Sequence, residues 1–114
     1  MASVELILPW PPSVNSYWGF HGHRRFLTQK ALEFKKHVGA AVQGQKLGQA
    51  RLSVTIIAHA PDRRTRDLDN ILKPTLDALV QAGLFDDDAQ VDLLTVQRGE
   101  VIKNGKAIVT VASL

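Results

Sequence analysis

The chain of 114 residues contains no cysteine, which excludes disulfide bonds, thiol nucleophiles and thiolate metal ligands. It has no apolar run near the roughly 20 residues that a transmembrane helix needs, and no basic-then-apolar N-terminal secretion signal. A glycine-rich phosphate loop and a serine in a nucleophile elbow are also absent. We therefore expect a single domain over residues 1–114 that fits a reducing cytoplasm and has no membrane partner.

Charge is distributed unevenly along the chain. The formal net charge is +3, but residues 1–66 hold ten basic and three acidic residues, whereas residues 67–92 hold seven acidic residues and one lysine, Lys73. A basic surround attracts a polyanion, and an acidic centre within it holds a cation. Chance clustering of ordinary surface charge explains the same pattern about equally well.

Hydrophobic periodicity predicts four strands and two helices. The strands are expected at residues 3–8, 51–59, 93–102 and 107–112. The first helix is expected to run from an N-cap at Thr28 to about Gln43. The second is expected from Pro74 to Ala82 after a turn over residues 69–73, or as one helix kinked at Pro74. The order β-α-β-α-β-β predicts an α+β fold of two layers, with one mixed four-stranded sheet packed against two helices.

Two connections carry turn signals. The prolines at positions 9, 11 and 12 predict an extended loop through Tyr17 and Trp18. Asn104-Gly105 lies between the last two predicted strands and is the commonest sequence for a tight β-hairpin. We therefore expect the last two strands to pair with each other.

Asp67 and Asp69 are the first candidates for chemistry. In an extended or turn-like segment, side chains at positions i and i+2 point the same way. In a regular helix they would lie about 200° apart, so joint action requires the pair to precede the helix. From this local pattern alone, capping of the following helix is favoured over metal binding by roughly two to one.

Asp86, Asp87 and Asp88 form a second acidic cluster. A hydrated surface loop is the simplest explanation, because repulsion between solvated carboxylates is small. If the chain folds back after the second helix, one of the three could meet Asp67 and Asp69. Three converging carboxylates require a cation, and an all-oxygen set favours Mg²⁺, with Mn²⁺ as a substitute.

Basic residues lie next to the acids. Arg63, Arg64 and Arg66 directly precede Asp67, and their guanidinium groups match the geometry of phosphate oxygens. Their alternative role is solubility or neutralisation of the neighbouring acids. Lys73 could stabilise charge that develops during cleavage, although a lone lysine is usually a solvated helix residue.

A second basic segment carries Arg24 and Arg25 beside His21 and His23. No third metal ligand lies nearby in the sequence, so we interpret this segment as a mobile loop that contacts DNA rather than as a zinc site. Aromatic side chains in the N-terminal region could stack on unpaired bases, namely Trp10, Tyr17, Trp18 and Phe20.

Three blocks of sequence together resemble the RusA family of Holliday junction resolvases. They are LPWPPSVN at residues 8–15, PDRRTRDLDN at 61–70 and DDDAQV at 86–91, with Lys73 between the last two. The resemblance runs from about residue 4 to the last strand, and the second and third blocks are its most specific part. It implies a homodimeric, Mg²⁺-dependent endodeoxyribonuclease that makes paired nicks in a four-way DNA junction.

The resemblance also assigns roles to individual residues. Asp67 and Asp69 match the first two catalytic acids, and Asp88 matches the third, so all three are expected to be metal ligands. Other matches are a lysine important for activity, the basic residue before the first acid, and an asparagine of the N-terminal loop that is expected to contact DNA: Lys73, Arg66 and Asn15. Two positions depart from the family pattern, with Val14 where an asparagine is frequent and Pro74 after the lysine.

Two other functions are compatible with the sequence. One is a nuclease that acts on flaps, replication forks or RNA, and the other is a non-catalytic DNA-binding module whose acids are caps and surface charge. The cleavage-sequence preference and the number of metal ions are not predicted.

Overall fold

The computed structural model describes residues 2–114 and forms six strands and three α-helices within them. Two short 3₁₀ helices cover Leu68–Ile71 and Asp88–Gln90. No helix among the described residues is long and apolar enough to cross a membrane. In chain order the elements are β1 (Ser3–Leu8), α1 (Val14–Tyr17), β2 (Trp18–His21), β3 (Arg24–Leu27), α2 (Gln29–Val42), β4 (Leu52–His59), α3 (Leu72–Gln81), β5 (Val91–Arg98) and β6 (Lys106–Ser113).

Four of the strands form one mixed sheet in the order β1-β6-β4-β5. Strand β4 pairs antiparallel with β6 and parallel with β5, and β6 also pairs antiparallel with β1. Alternate residues of β1, β4 and β6 are buried on one face, as the period of two predicts. The expected α+β fold with a mixed four-stranded sheet is confirmed.

Helix α2 begins and ends where the sequence predicts. The Thr28 hydroxyl accepts a hydrogen bond from the Ala31 N–H at 3.3 Å, which satisfies one free donor of the first turn. At the other end Gln43 and Gly44 both have positive φ, 52° and 75°, and the chain turns away there. The side chains that α2 buries are Ala31, Phe34, Val38 and Val42.

The predicted hairpin between the last two strands is wrong. Asn104 and Gly105 do form a tight turn with φ of 71° and 70°, but β5 and β6 are separated in the sheet by β4. Strand β5 ends at Arg98, and the following segment continues beside β4, where the Ile102 N–H donates to the Ala60 carbonyl at 3.0 Å. Strand β6 lies between β1 and β4 because its alternate apolar residues complete the buried face there.

The predicted extended loop through Tyr17 and Trp18 is also wrong. A single helical turn, α1, buries Tyr17, and β2 and β3 then form a separate two-stranded hairpin with Gly22 at its turn, at φ 62°. The Thr28 hydroxyl donates to the Ser16 carbonyl at 2.7 Å and joins α1 to the start of α2, so both ends of the segment that contains the hairpin are held together.

Candidate active site

Asp67 and Asp69 lie where β4 has ended and α3 has not yet begun. Asp67 has extended backbone angles, φ −90° and ψ 130°, and Asp69 lies in the 3₁₀ helix that follows. Both residues are exposed. Neither this 3₁₀ helix nor α3 has a side-chain cap hydrogen bond, so helix capping does not account for the two carboxylates.

Lys73 lies in the first turn of α3 and joins two acidic residues. Its Nζ donates to Asp88 Oδ2 at 2.7 Å and lies 2.9 Å from Asp77 Oδ1. The hydrogen bond to Asp88, followed by that to Asp77, raises the pKa of Lys73. The bond from Lys73 also lowers the pKa of Asp88, so both groups are charged at neutral pH. Asp77 was not anticipated, although its i+4 spacing from Lys73 could have indicated the pair.

Pro74 does not displace Lys73 from the helix. The structure starts α3 at Leu72, two residues earlier than expected, so Pro74 is the third helical residue. The first turn has no intrahelical partner for its N–H groups, and the missing proline donor therefore costs little there. The 3₁₀ helix over Leu68–Ile71 corresponds to the predicted turn before the regular helix.

The buried side chain of Gln90 fixes the loop that carries Asp88. Its Oε1 accepts hydrogen bonds from the N–H groups of Asp86 and Asp87 at 2.8 and 2.9 Å. Its Nε2 donates to the carbonyl oxygens of Gly48 and Ala50 at 2.9 and 2.8 Å. These four bonds tie the acidic loop to the segment before β4. Sequence reasoning missed this role, because the partners are 40 and 42 residues away.

The Asp87 side chain caps the short helix that contains Asp88. Asp87 Oδ1 accepts from the Ala89 N–H at 2.8 Å and, together with Gln90, completes a capping box. Asp86 and Asp87 are exposed, whereas the Asp88 side chain is 30% exposed and faces Lys73. The three adjacent acids therefore have different surroundings, and only Asp88 contacts the lysine.

The structure brings Asp88 to Lys73 but does not gather all three predicted ligands. Within residues 2–114, no three histidine or acidic side chains are placed to hold one metal ion. Asp67 and Asp69 precede α3, whereas Asp88 follows α3 but lies back against the Lys73 ammonium group in the first turn of that helix. Of the three predicted ligands, Asp88 is therefore the one that contacts Lys73.

The arginine segment is held by Asp62, a residue that the sequence did not single out. Arg66 Nη1 donates to Asp62 Oδ1 at 2.6 Å, and the Arg64 N–H donates to the same oxygen at 2.9 Å. These two bonds, in that order, are the largest causes that lower the pKa of Asp62 to about 2. The Arg66 guanidinium also lies over the Trp10 ring, 5.8 Å from its centre. Arg63 is exposed.

The other predicted DNA-binding residues lie on the surface. Arg24 and Arg25 are exposed on β3, and Asn15 is exposed in α1. The Arg25 guanidinium stacks on the Trp18 ring at 4.0 Å from its centre. His21 and His23 lie at the end of the hairpin and belong to no metal-binding group in the part of the chain that is described.

Known proteins are similar to this chain over almost its whole length. A sequence model of the family described as "Endodeoxyribonuclease RusA" matches residues 9–112. A crossover junction endodeoxyribonuclease of Enterobacteria phage HK97 is 38% identical over 117 residues, covering 100% of this chain and 98% of that protein. Proteins of the same name from Enterobacteria phage 82 and Escherichia coli K12 are 36% and 35% identical with the same coverage.

Proposed function

Because this chain belongs to the RusA family of endodeoxyribonucleases, we propose that it hydrolyses phosphodiester bonds at four-way DNA junctions. The family match over nearly the whole chain is the observation that carries the proposal. The relatives are named crossover junction endodeoxyribonucleases, which are enzymes acting at the crossing point of two duplexes. We propose further that residues 1–114 act as one catalytic domain, in the cytoplasm with the nucleoid.

The proposed active site contains Asp67, Asp69, Asp88 and Lys73. Oxygen donors without thiolates suit a hard divalent cation, and among such cations we propose Mg²⁺, with Mn²⁺ as a substitute. A bound ion of this kind lowers the pKa of water and offsets charge on the phosphate. Since the three carboxylates form no single ligand group in residues 2–114, the complete site requires Asp88 to leave Lys73 or a second copy of the chain to contribute an acid.

The side chain of Lys73 has a defined part in this site. It holds a proton firmly, because Asp88 and Asp77 raise its pKa. An ammonium group fixed in this way offsets negative charge on a nearby phosphate and needs little reorganisation to do so. Two carboxylates orient its ammonium group, Asp77 of its own helix and Asp88 of the following loop.

We propose a homodimer as the working form. Strand β5 is an edge of the four-stranded sheet, and its Leu93 and Leu94 are 56% and 39% exposed on opposite faces. An exposed apolar edge strand is a surface that proteins usually cover. A two-fold dimer would present two active sites to a nearly two-fold junction. Light scattering of the purified protein tests this, and a mass of one chain at micromolar concentration would contradict it.

The cleavage assay uses a synthetic four-way junction with end-labelled strands, with and without Mg²⁺. We expect paired symmetric nicks that require the cation. Flap, fork and RNA substrates test the rival nuclease, and preferential cleavage of any of them would favour that function. Junction binding without cleavage by the wild-type protein would favour a DNA-binding module.

Matched aspartate variants test the residue assignments. Asp67→Asn and Asp88→Asn are expected to abolish cleavage while junction binding persists. Asp86→Asn changes an exposed acid of the same loop and is expected to cleave near the wild-type rate. Wild-type cleavage by Asp67→Asn or Asp88→Asn would refute the assignment of that residue.

A further inference from the structure

A cleft adjoins the candidate site at Lys73. It lies between the β2–β3 hairpin and the helices, has a volume of about 330 Å³, and is lined by residues that include Tyr17, Trp18, Arg25, Lys35 and Lys73. This volume is at the lower end of the roughly 300–1,000 Å³ that small-molecule sites occupy. Because Lys73 belongs to both places, a group in this cleft lies next to the proposed active site.

The cleft contains a ready-made stack of planar groups. The Arg25 guanidinium lies on the Trp18 ring at 4.0 Å from its centre, and the Tyr17 ring meets Trp18 edge-on at 5.1 Å and 73°. Nucleobases stack on aromatic rings and on guanidinium planes alike. The outer surface of the Arg25–Trp18 pair therefore offers a platform to a planar heterocycle.

Aromatic and basic side chains continue from the cleft along one face of the hairpin. In the register, Phe20 pairs with Arg25 and Trp18 pairs with Leu27, and cross-strand partners project from the same face of a sheet. Phe20 is 70% exposed. One face thus carries an aromatic and cationic strip from the cleft to the end of the hairpin.

The opposite face of the hairpin carries a similar pair of residues that does not line the cleft. It carries Arg24 and Phe26, which alternate with the residues of the first face. The Phe26 ring packs directly on the backbone of Gly19, since a methyl group at Gly19 would lie 2.5 Å from two of its carbons. Each face has one arginine and one exposed phenylalanine, but only one face joins the cleft.

The charge of the cleft suits a nucleic acid strand. Arg25, Lys35 and Lys73 bring three positive charges to its lining, and Asp77 brings one negative charge that is already paired with Lys73. The excess positive charge attracts phosphates. The planar platform stacks on a base, and the positive charges bind the phosphates of the backbone. Duplex DNA exposes the face of a base for such stacking only where that base is unpaired.

We propose that this cleft receives an unstacked nucleobase of the DNA strand at the branch point of the junction. This inference rests on the proposed function at four-way junctions, and it specifies which part of the junction the hairpin recognises. Seating the base beside Lys73 positions the adjoining phosphate toward the candidate active site. The cleft thereby contributes to selection of branched DNA over continuous duplex, in which no base is free.

The test measures binding, in the absence of divalent cation, to two junctions that differ by one abasic nucleotide at the branch point. Wild type is expected to bind the intact junction roughly 5- to 100-fold more tightly, the range for loss of one stacked base. The double variant Arg25→Ala/Phe20→Ala is expected to bind both junctions equally. Both changed side chains are exposed, and a thermal melt confirms that the variant folds.

The matched control is Arg24→Ala/Phe26→Ala, which removes the same two residue types from the opposite face. It is expected to lose affinity for both junctions alike through lost charge, and to keep the preference for the intact one. Equal binding of the two junctions by wild type would overturn the inference, as would an unchanged preference in Arg25→Ala/Phe20→Ala. Junction cleavage accompanied by either result would leave the proposed function standing and remove only the role of the cleft.

Discussion

Replacement of Gln90 by leucine tests whether one buried amide positions the acidic loop. Leucine has a similar size but offers neither donor nor acceptor, so the change removes four hydrogen bonds of 2.8 to 2.9 Å. Gln90 is 7% exposed, so its side chain lies almost entirely out of water. The backbone groups of Asp86, Asp87, Gly48 and Ala50 lose their partner, and the loop is held less tightly to the segment before β4.

The magnitude follows from the number of bonds. A neutral hydrogen bond contributes about 1 kcal/mol net, and an unsatisfied buried group costs more. Loss of four bonds therefore lowers the free energy of unfolding by about 4 kcal/mol. Water that reaches the exposed loop satisfies some of the freed groups, which reduces this loss to about 3 kcal/mol. Domains are stable by about 5–15 kcal/mol, so Gln90→Leu is expected to remain folded. Because the free energy of unfolding falls by roughly 1.5–3 kcal/mol for each molar of urea, the urea concentration at the midpoint of unfolding is expected to fall by roughly 1–2 M.

The assay pairs urea denaturation with cleavage of a four-way junction in buffer without urea. Cleavage is expected to fall more than the folded fraction does, because Asp88 is displaced from Lys73 in molecules that remain folded. Gln29→Leu is the control, since Gln29 is exposed and makes only one exposed side-chain bond of 3.3 Å, to Glu33. An unchanged urea midpoint for Gln90→Leu would refute the packing argument. A lower midpoint with wild-type cleavage would show that Gln90 supports the fold but not the site.

Three further changes give separate tests. Arg63→Ala/Arg64→Ala removes two exposed charges and is expected to lower the slope of log Kd against log salt by about 1.8, measured by anisotropy on duplex DNA; an unchanged slope would contradict phosphate contacts. Asp62 has a pKa lowered from 3.8 to about 2, so its stabilising contribution is present above pH 4 and lost as pH falls toward 2. In Asp62→Asn the melting temperature should therefore fall less between pH 4 and pH 2 than in the wild type, and an equal fall would argue against the ion pair. Gly105→Ala forces a side chain onto φ 70° and to within 2.9 Å of Trp10 Cβ, so calorimetry should show destabilisation above about 1 kcal/mol, and a wild-type melt would count against it.

Local periodicity was sufficient to predict most elements of the fold. Strand β4 follows the alternation of its apolar residues, and α2 starts at the predicted cap Thr28. The pairing of strands could not be obtained in this way. Asn104-Gly105 adopts the turn that its sequence favours, but which strand neighbours β4 depends on burial of whole faces, which a dipeptide does not encode.

The β2–β3 hairpin was missed for a different reason. Its strands have four residues each, shorter than the windows in which alternation becomes visible, and three prolines before them indicated a loop. Gly22 between two short polar-aromatic runs was the available signal. Because the hairpin buries little, apolar patterning gave almost no information about it.

The acidic residues of the site were visible in the sequence, but the residues that hold them were not. Gln90 bonds to carbonyl groups 40 and 42 residues away, and Asp62 pairs with Arg66 at i,i+4 spacing in a segment that is not helical. Asp77 follows the i+4 rule but was not considered. Resemblance to a family is the reason that Asp67, Asp69 and Asp88 are proposed as site residues, whereas the support of these residues depends on which distant segments the fold brings together.

The position of Lys73 explains how the carboxylates of Asp77 and Asp88 can share one ammonium group. Asp77 and Asp88 are both within 2.9 Å of its Nζ, so one ammonium offsets the repulsion between them. A cation that binds Asp88 must compete with this contact at Oδ2. Asp77 remains a partner for Lys73 after such a change, so the lysine keeps its charge and its place on α3. Replacement of Asp77 by asparagine would then weaken the position of Lys73 without removing any proposed ligand of the cation.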